Sequence, residues 1–152
     1  MYDVLIKNAQ VIDGTGAEPY AADVAIEKDR FAAIAPNIDC AKSKKTIDAR
    51  GKYVIPGIID IHSHADLSIS RDNNDELLAP LLKQGITTFV GGNCGMGQAP
   101  LVGPRMDAVR LYVETFTARK FDNVPWKTMG QYFDYLEKNG MAMNAAIMAP
   151  HS

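Results

Sequence analysis

The feature that most constrains this chain is a change of rhythm at Pro56-Gly57. Beyond it, short apolar runs alternate with helical patterns: "GIIDIHSH", then a helix candidate within Asn74–Gln84, then the strand "GITTFV". In "PRMDAVRLYVETFTARKF", Met106, Val109, Val113 and Phe116 are spaced three, four and three, which is one face of a helix. Pro104 suits its first turn. "TMGQYFDYLEKNG" opens with Thr128 and Gln131 in capping-box positions and ends on Asn139-Gly140, a C-terminal stop. A last strand, "MAMNAAIMA", follows. Strand–helix alternation predicts an α/β fold in which helices cover a parallel sheet. Only about three such units fit into residues 56–152, against the eight of a closed barrel of ~250 residues.

Residues 1–55 read as a small all-β segment. In "YDVLIKNAQVI" the apolar alternation holds at Val4 and Ile6 and resumes at Val11, and "DGTGAEP" is a long turn. "ADVAIEKDRFAAI" predicts a hairpin with Lys28, Asp29 and Arg30 at its tip. "TIDARGKYVIP" predicts a second, turning at Ala49–Gly51. No polar constellation here points to a site.

The net charge of −2 comes from 18 acidic and 16 basic residues spread without long runs, a pattern that points to no nucleic acid and no membrane surface. No apolar stretch reaches the ~20 residues of a membrane helix. The N-terminus lacks a signal peptide's apolar segment, so the reading is a cytoplasmic protein. Cys40 and Cys94 are too few for a disulfide framework. Cys40, beside a lysine-rich loop, reads as a surface thiol.

In an extended strand, residues i and i+2 face the same side, about 6.6 Å apart. His62 and His64, with Asp60 behind them, are thus predicted to project together from the carboxyl end of a strand, where parallel sheets build their sites. Two imidazoles there can converge on one cation. Zn²⁺ suits them, and other divalent metals are tolerated. The competing reading is two ordinary histidines in a surface turn, one of them capping Asp66. The next strand ends in "GGNCGMG", whose four glycines in seven residues allow an irregular backbone that presents Cys94 at the same end of the sheet. A thiolate beside two imidazoles fills three positions of a tetrahedral zinc site or bridges two metals. The loop is no phosphate cradle, since it lacks both the Lys-Ser/Thr of a P-loop and the G-x-G-x-x-G pattern. A nucleophilic thiol and a buried structural cysteine are the alternatives for Cys94.

These residues resemble the amidohydrolase superfamily and, within it, the N-acyl-D-amino-acid deacylase (D-aminoacylase) family. The resemblance runs through "YDVLIKNAQVIDGTG", "VIPGIIDIHSHADL", "QGITTFVGGNCGMGQAP" and "NAAIMAPHS". The D-x-H-x-H strand is shared by most of the superfamily, whereas Asn93-Cys94-Gly95 is narrower. The resemblance implies a metal-dependent (β/α)₈ barrel carrying a small β-sandwich assembled from both termini. Residues 1–55 would be a segment of that sandwich and residues 56–152 the first, truncated part of the barrel. His62 and His64 correspond to first-strand ligands and Cys94 to a zinc-binding cysteine, for one or two ions. Asp60, Asp66, Asn93 and His151 lie near the site.

The implied reaction is hydrolysis of a non-peptide C–N bond, the deacylation of a small-molecule N-acyl-D-amino acid. The resemblance places further ligands and the general base beyond Ser152, so no catalytic residue is assigned and the chain alone is expected to be incomplete. Where the family often has Asp after the second histidine, this chain has Ala65 and then Asp66. A cyclic-amide hydrolase would share the first strand but not Asn93-Cys94-Gly95. From another class, a non-catalytic metal-binding fragment would assemble with a partner, or with itself, through uncovered sheet edges.

Overall fold

The computed structural model describes residues 1–150, and the chain divides into two compact units, Met1–Pro56 and Gly57–Ser152. The expectation for His151 lies outside the described residues.

The first unit is one sheet of five strands: β1 (Tyr2–Val11), β2 (Tyr20–Glu27), β3 (Arg30–Ala35), β4 (Ser43–Asp48) and β5 (Tyr53–Val54). Its order is β3-β2-β1-β4, with β5 also on β1. The first expected hairpin forms, with Glu27 facing Arg30 across a Lys28–Asp29 turn, so that Arg30 opens β3 instead of sitting at the tip. The break in alternation along β1 is a bulge. Its register against β2 shifts between Ile6 and Ala9, and Asn8 takes a left-handed φ of 61°. The extra residue switches the facing side, so Ile6, Ala9 and Val11 all pack in one cluster with Ala22, Val24 and Ala49.

The second expected hairpin does not form. β4 and β5 both run parallel to β1, with Lys7 facing Asp48 and Gln10 facing Tyr53. Between them Ala49 turns into the apolar cluster, and its N–H donates to the Lys7 carbonyl at 2.8 Å. Lys52 N–H then closes onto the Ala49 carbonyl at 2.8 Å, and the chain resumes its direction instead of reversing it. Burial of one alanine and pairing with β1 outweigh the local turn signal. Beside this cluster, Asp23 is 4% exposed and fully engaged. It takes the Lys7 ammonium at 2.7 Å and the N–H groups of Asn8 and Ile38 at 2.8 and 2.9 Å. Burial alone would raise its carboxyl, but these donors outweigh it and hold it below the usual carboxylate range.

The second unit contains a parallel sheet, β6 (Ile58–Asp60), β7 (Ile86–Gly91) and β8 (Asn144–Ile147), in that order. Helices α1 (Asp66–Ile69) and α2 (Asn74–Lys83) link β6 to β7, and α3 (Arg105–Thr117) and α4 (Met129–Asn139) link β7 to β8. Gly57 lets β6 lie against β7, because a Cβ there would sit 2.0 Å from Thr87 Oγ1. Phe89, Leu78, Val109, Val113, Trp126 and Leu136 belong to the core beneath the helices. The capping box of Thr128 and Gln131 starts α4 as expected. Along α3, only the middle of the predicted face is covered. Val109 and Val113 are fully buried, while Met106 and Phe116 at its two ends are exposed. Although β6 is apolar on both faces, it is an edge strand, and Ile58, Ile59 and the following Ile61 remain exposed. Among the described residues, no helix is long and apolar enough to cross a membrane.

Candidate metal centre

β6 ends at Asp60, so His62 and His64 stand in the irregular segment just past its carboxyl end and not on the strand itself. The expected side-by-side strand geometry therefore fails, and Asp60 shows why. Its Oδ1 turns back to accept the His62 backbone N–H at 3.1 Å, ending the strand instead of joining the imidazoles. The segment still follows the sheet, because Ser63 N–H donates to the Val90 carbonyl at 3.1 Å. The two rings lie edge to face, with centroids 6.0 Å apart and planes at 76°.

Cys94 is delivered by a single turn, Asn93–Gly95, just after β7. Its own φ of 57° is left-handed. The turn aims Sγ at the histidines, 3.5 Å from His62 Nε2. One ligand atom each from His62, His64 and Cys94 can be chosen so that all lie within 4.8 Å of one another. Around a tetrahedral zinc ion, with bonds of ~2.0–2.1 Å to nitrogen and ~2.3 Å to sulfur, neighbouring ligand atoms sit about 3.3–3.6 Å apart. The thiol–imidazole distance already meets that spacing, and the third ligand atom lies within 4.8 Å of the other two. All three side chains are exposed, which removes the reading of Cys94 as a buried structural cysteine.

The loop that carries Cys94 is tied down on both sides. Asn93 is buried, and its amide donates to the Val90 carbonyl at 2.7 Å and to the Ser63 carbonyl at 3.3 Å. Gly92 N–H donates to Asp66 Oδ2 at 3.1 Å. The glycines serve close approach as much as bending: a Cβ on Gly91 would lie 2.7 Å from Asp66 Cβ, and one on Gly92 would lie 2.4 Å from the Met148 carbonyl oxygen. Beyond Cys94, the buried Gln98 donates to the Asp66 carbonyl and accepts from Ser70 Oγ at 2.7 Å. From α3, Arg105 donates to the Gly95 carbonyl at 3.2 Å, and the Tyr112 hydroxyl donates to the Gly97 carbonyl. Burial pushes the Tyr112 phenol up to about 12, so it stays a donor at neutral pH.

Asp66, expected only as a neighbour of the site, is a buried post at the start of α1. Burial pushes its carboxyl above the usual range, against the pull of Gly92 N–H. Gln98, Arg105 and Tyr112 were not legible as site residues, because no local period marks a side chain whose partners lie across the fold. The "GQAP" stretch held one signal, a lone amide in an otherwise apolar turn. Beside His64 lies a cavity of about 350 Å³ lined by His64, Leu67, Ser68, Met96, Phe116 and Thr117.

Two imidazoles and a thiol gathered beyond adjacent parallel strands define the class: an α/β protein with a candidate site for a transition-metal ion. No protein-family model matches the chain. It is similar to D-aminoacylase of Alcaligenes xylosoxydans xylosoxydans, 33% identical over 151 residues, which is 99% of this chain and 29% of that protein. It is also similar to the D-aminoacylase structure concerned with the functional role of a binuclear metal centre, with a TM-score of 0.76 and 30% identity over 99% of this chain and 30% of that one. The N-acyl-D-glutamate deacylase of Bordetella bronchiseptica, complexed with zinc and a phosphonate mimic of the tetrahedral intermediate, gives a TM-score of 0.74 and 31% identity over 99% of this chain and 30% of that one. Over 99% of its own length the chain is thus similar, in sequence and in fold, to D-aminoacylases, one of which defines a subset of amidohydrolases, in line with the resemblance of its motifs. It spans about 29% of the length of the curated relative it matches.

Proposed function

We propose that the protein to which these residues belong hydrolyses N-acyl-D-amino acids at a metal held in part by His62, His64 and Cys94. One observation carries the reading: ligand atoms from the segments after two adjacent strands come within 4.8 Å of one another. Each imidazole would bind through one ring nitrogen and Cys94 as thiolate, a nitrogen and sulfur set that favours zinc over magnesium or calcium. An ion held there supplies Lewis acidity, polarising the acyl carbonyl and lowering the pKa of a water toward ~7.

The three side chains are exposed at the strand ends, where a small molecule can reach them. The cavity beside His64 offers apolar surface to the unreactive part of such a substrate. Asp66 is not the general base on this reading: it is 1% exposed and its Oδ2 is engaged by Gly92. That role falls to a carboxylate on another strand.

In the same proposal, residues 56–152 are the first strand–helix units of a (β/α)₈ barrel and residues 1–55 a segment of its companion β-sandwich. Exposed Ile59 on β6 and Ile61 just past its end lie where further strands would pack. That edge favours a second reading, self-association of this chain, which sedimentation would detect.

The test of the main reading is metal content after zinc loading and dialysis, for the chain and for Cys94→Ala, together with release of free amine from N-acetyl-D- and N-acetyl-L-amino acids by the full-length protein. Zinc retained by the chain and lost in the variant, with hydrolysis of the D-series, supports the proposal. Equal zinc in both chains removes Cys94 from the site.

A further inference from the structure

Asp66 is 1% exposed, yet its Oδ1 has no hydrogen-bond partner among the described residues. A half-satisfied buried carboxylate is less stable than a well-packed apolar side chain in the same place. Its presence there directs attention to what the other oxygen does. Oδ2 accepts the N–H of Gly92, two residues before Cys94, while Asp66 itself comes two residues after His64. Asn93 makes the matching tie in the opposite direction, donating to the carbonyl of Ser63, the residue between the two histidines. Directly after these two ties Cys94 holds its left-handed φ of 57°. A non-glycine residue keeps such a conformation only when its surroundings impose it.

We propose that Asp66 and Asn93 are positioning residues that lock the Cys94 loop onto the His62–His64 segment and so set the thiol–imidazole spacing at which all three ligands reach one ion. The inference rests on the metal reading above. Neither residue touches the ion or the substrate. With the ties cut, Cys94 relaxes toward the right-handed region and Sγ swings away from His62. The histidines stay in place, because Ser63 N–H remains on Val90. The metal then keeps its imidazoles and loses its sulfur.

Cobalt(II) titration of the metal-free chain separates these states, because a thiolate on cobalt gives a near-ultraviolet charge-transfer band that imidazoles do not. Cys94→Ser supplies the reference spectrum without sulfur. Asp66→Leu and Asn93→Ala are expected to lose the band while still binding cobalt, with affinity lowered about 10–100-fold, the usual effect of a residue that orients a ligand. Asp66→Asn keeps an acceptor for Gly92 N–H and is expected to keep the band, which separates positioning from loss of folding. A full-strength band in both Asp66→Leu and Asn93→Ala overturns the proposal and leaves the metal reading standing. No cobalt uptake by the unaltered chain overturns both.

Discussion

Asp23 in the β unit and Asp66 in the α/β unit are buried to nearly the same degree, at 4% and 1% exposure, and their surroundings treat them oppositely. Asp23 has donors on both oxygens, an ammonium among them, and its carboxyl is held below the usual range. Asp66 has one backbone donor, one orphaned oxygen and a raised carboxyl. A buried charge that is fully satisfied holds a fold together. One that is half-satisfied is kept for something else. In this chain the first ties β1 to β2 in a sheet with no candidate metal cluster, while the second stands beside the candidate centre.

The largest effect that sharpens this contrast is expected at the exposed ligands. His64→Ala should weaken metal binding by more than the roughly 10–100-fold that a ligand's supporting residues are worth. Unfolding of the metal-free chain should move by no more than about 0.5 kcal/mol, as for most surface substitutions. Equilibrium dialysis and chemical denaturation measure the two. A large stability loss from an exposed imidazole would break the separation between site and scaffold.

Next comes Asp23→Asn. Whichever way the amide is turned, its NH₂ faces at least one donor among Lys7, Asn8 and Ile38. An orphaned buried donor costs about 1–3 kcal/mol. Denaturation followed by amide signals from residues 1–56 should show the loss there.

The same contrast governs acid sensitivity. Asp3, held down first by Lys28 N–H and then by Lys44, Asp13, held down by Thr15, and Asp48, held down by Asn8, join Asp23 with carboxyls below the usual value. A lowered folded pKa gives stability that is complete above the ordinary carboxylate value and is lost as pH falls through the folded one. All four lie in the first unit. Asp66, raised by burial, adds nothing to acid loss. Hydrogen exchange in the metal-free chain, as pH falls below the ordinary carboxylate value, should therefore show residues 1–56 losing protection first. Equal loss in both units would contradict this.

What was legible in the sequence follows the same division between local and distant causes. The α4 capping box, the Lys28–Asp29 turn and the phase break in β1 are local, and each was readable from neighbouring residues. That His62, His64 and Cys94 come together was readable, because strand–helix alternation puts the ends of adjacent parallel strands side by side. The direction of β4 and β5 was not readable, since long-range pairing with β1 overrode a good turn signal. Nor were the roles of Asp60, Asp66 and Gln98. Asp66 meets Gly92 across 26 residues and Gln98 across 32, separations that no window of periodicity spans.

The smallest expected effect is the matched substitution Asp66→Asn. The amide oxygen can keep the Gly92 N–H, and the NH₂ takes the place of the orphaned Oδ1. A neutral amide is far cheaper to bury than an unpaired carboxylate charge, and that relief offsets the new unsatisfied donor. The two terms leave a change within about 1 kcal/mol, either way, in denaturation of the metal-free chain. Asp23→Asn has no such compensation, because its burial penalty is already met by Lys7 and two backbone donors. If the two asparagines destabilise the chain equally, the orphaned oxygen carries no penalty and Asp66 is as structural as Asp23. If only Asp23→Asn does, burial alone ranks neither residue, and the count of satisfied oxygens separates scaffold from site.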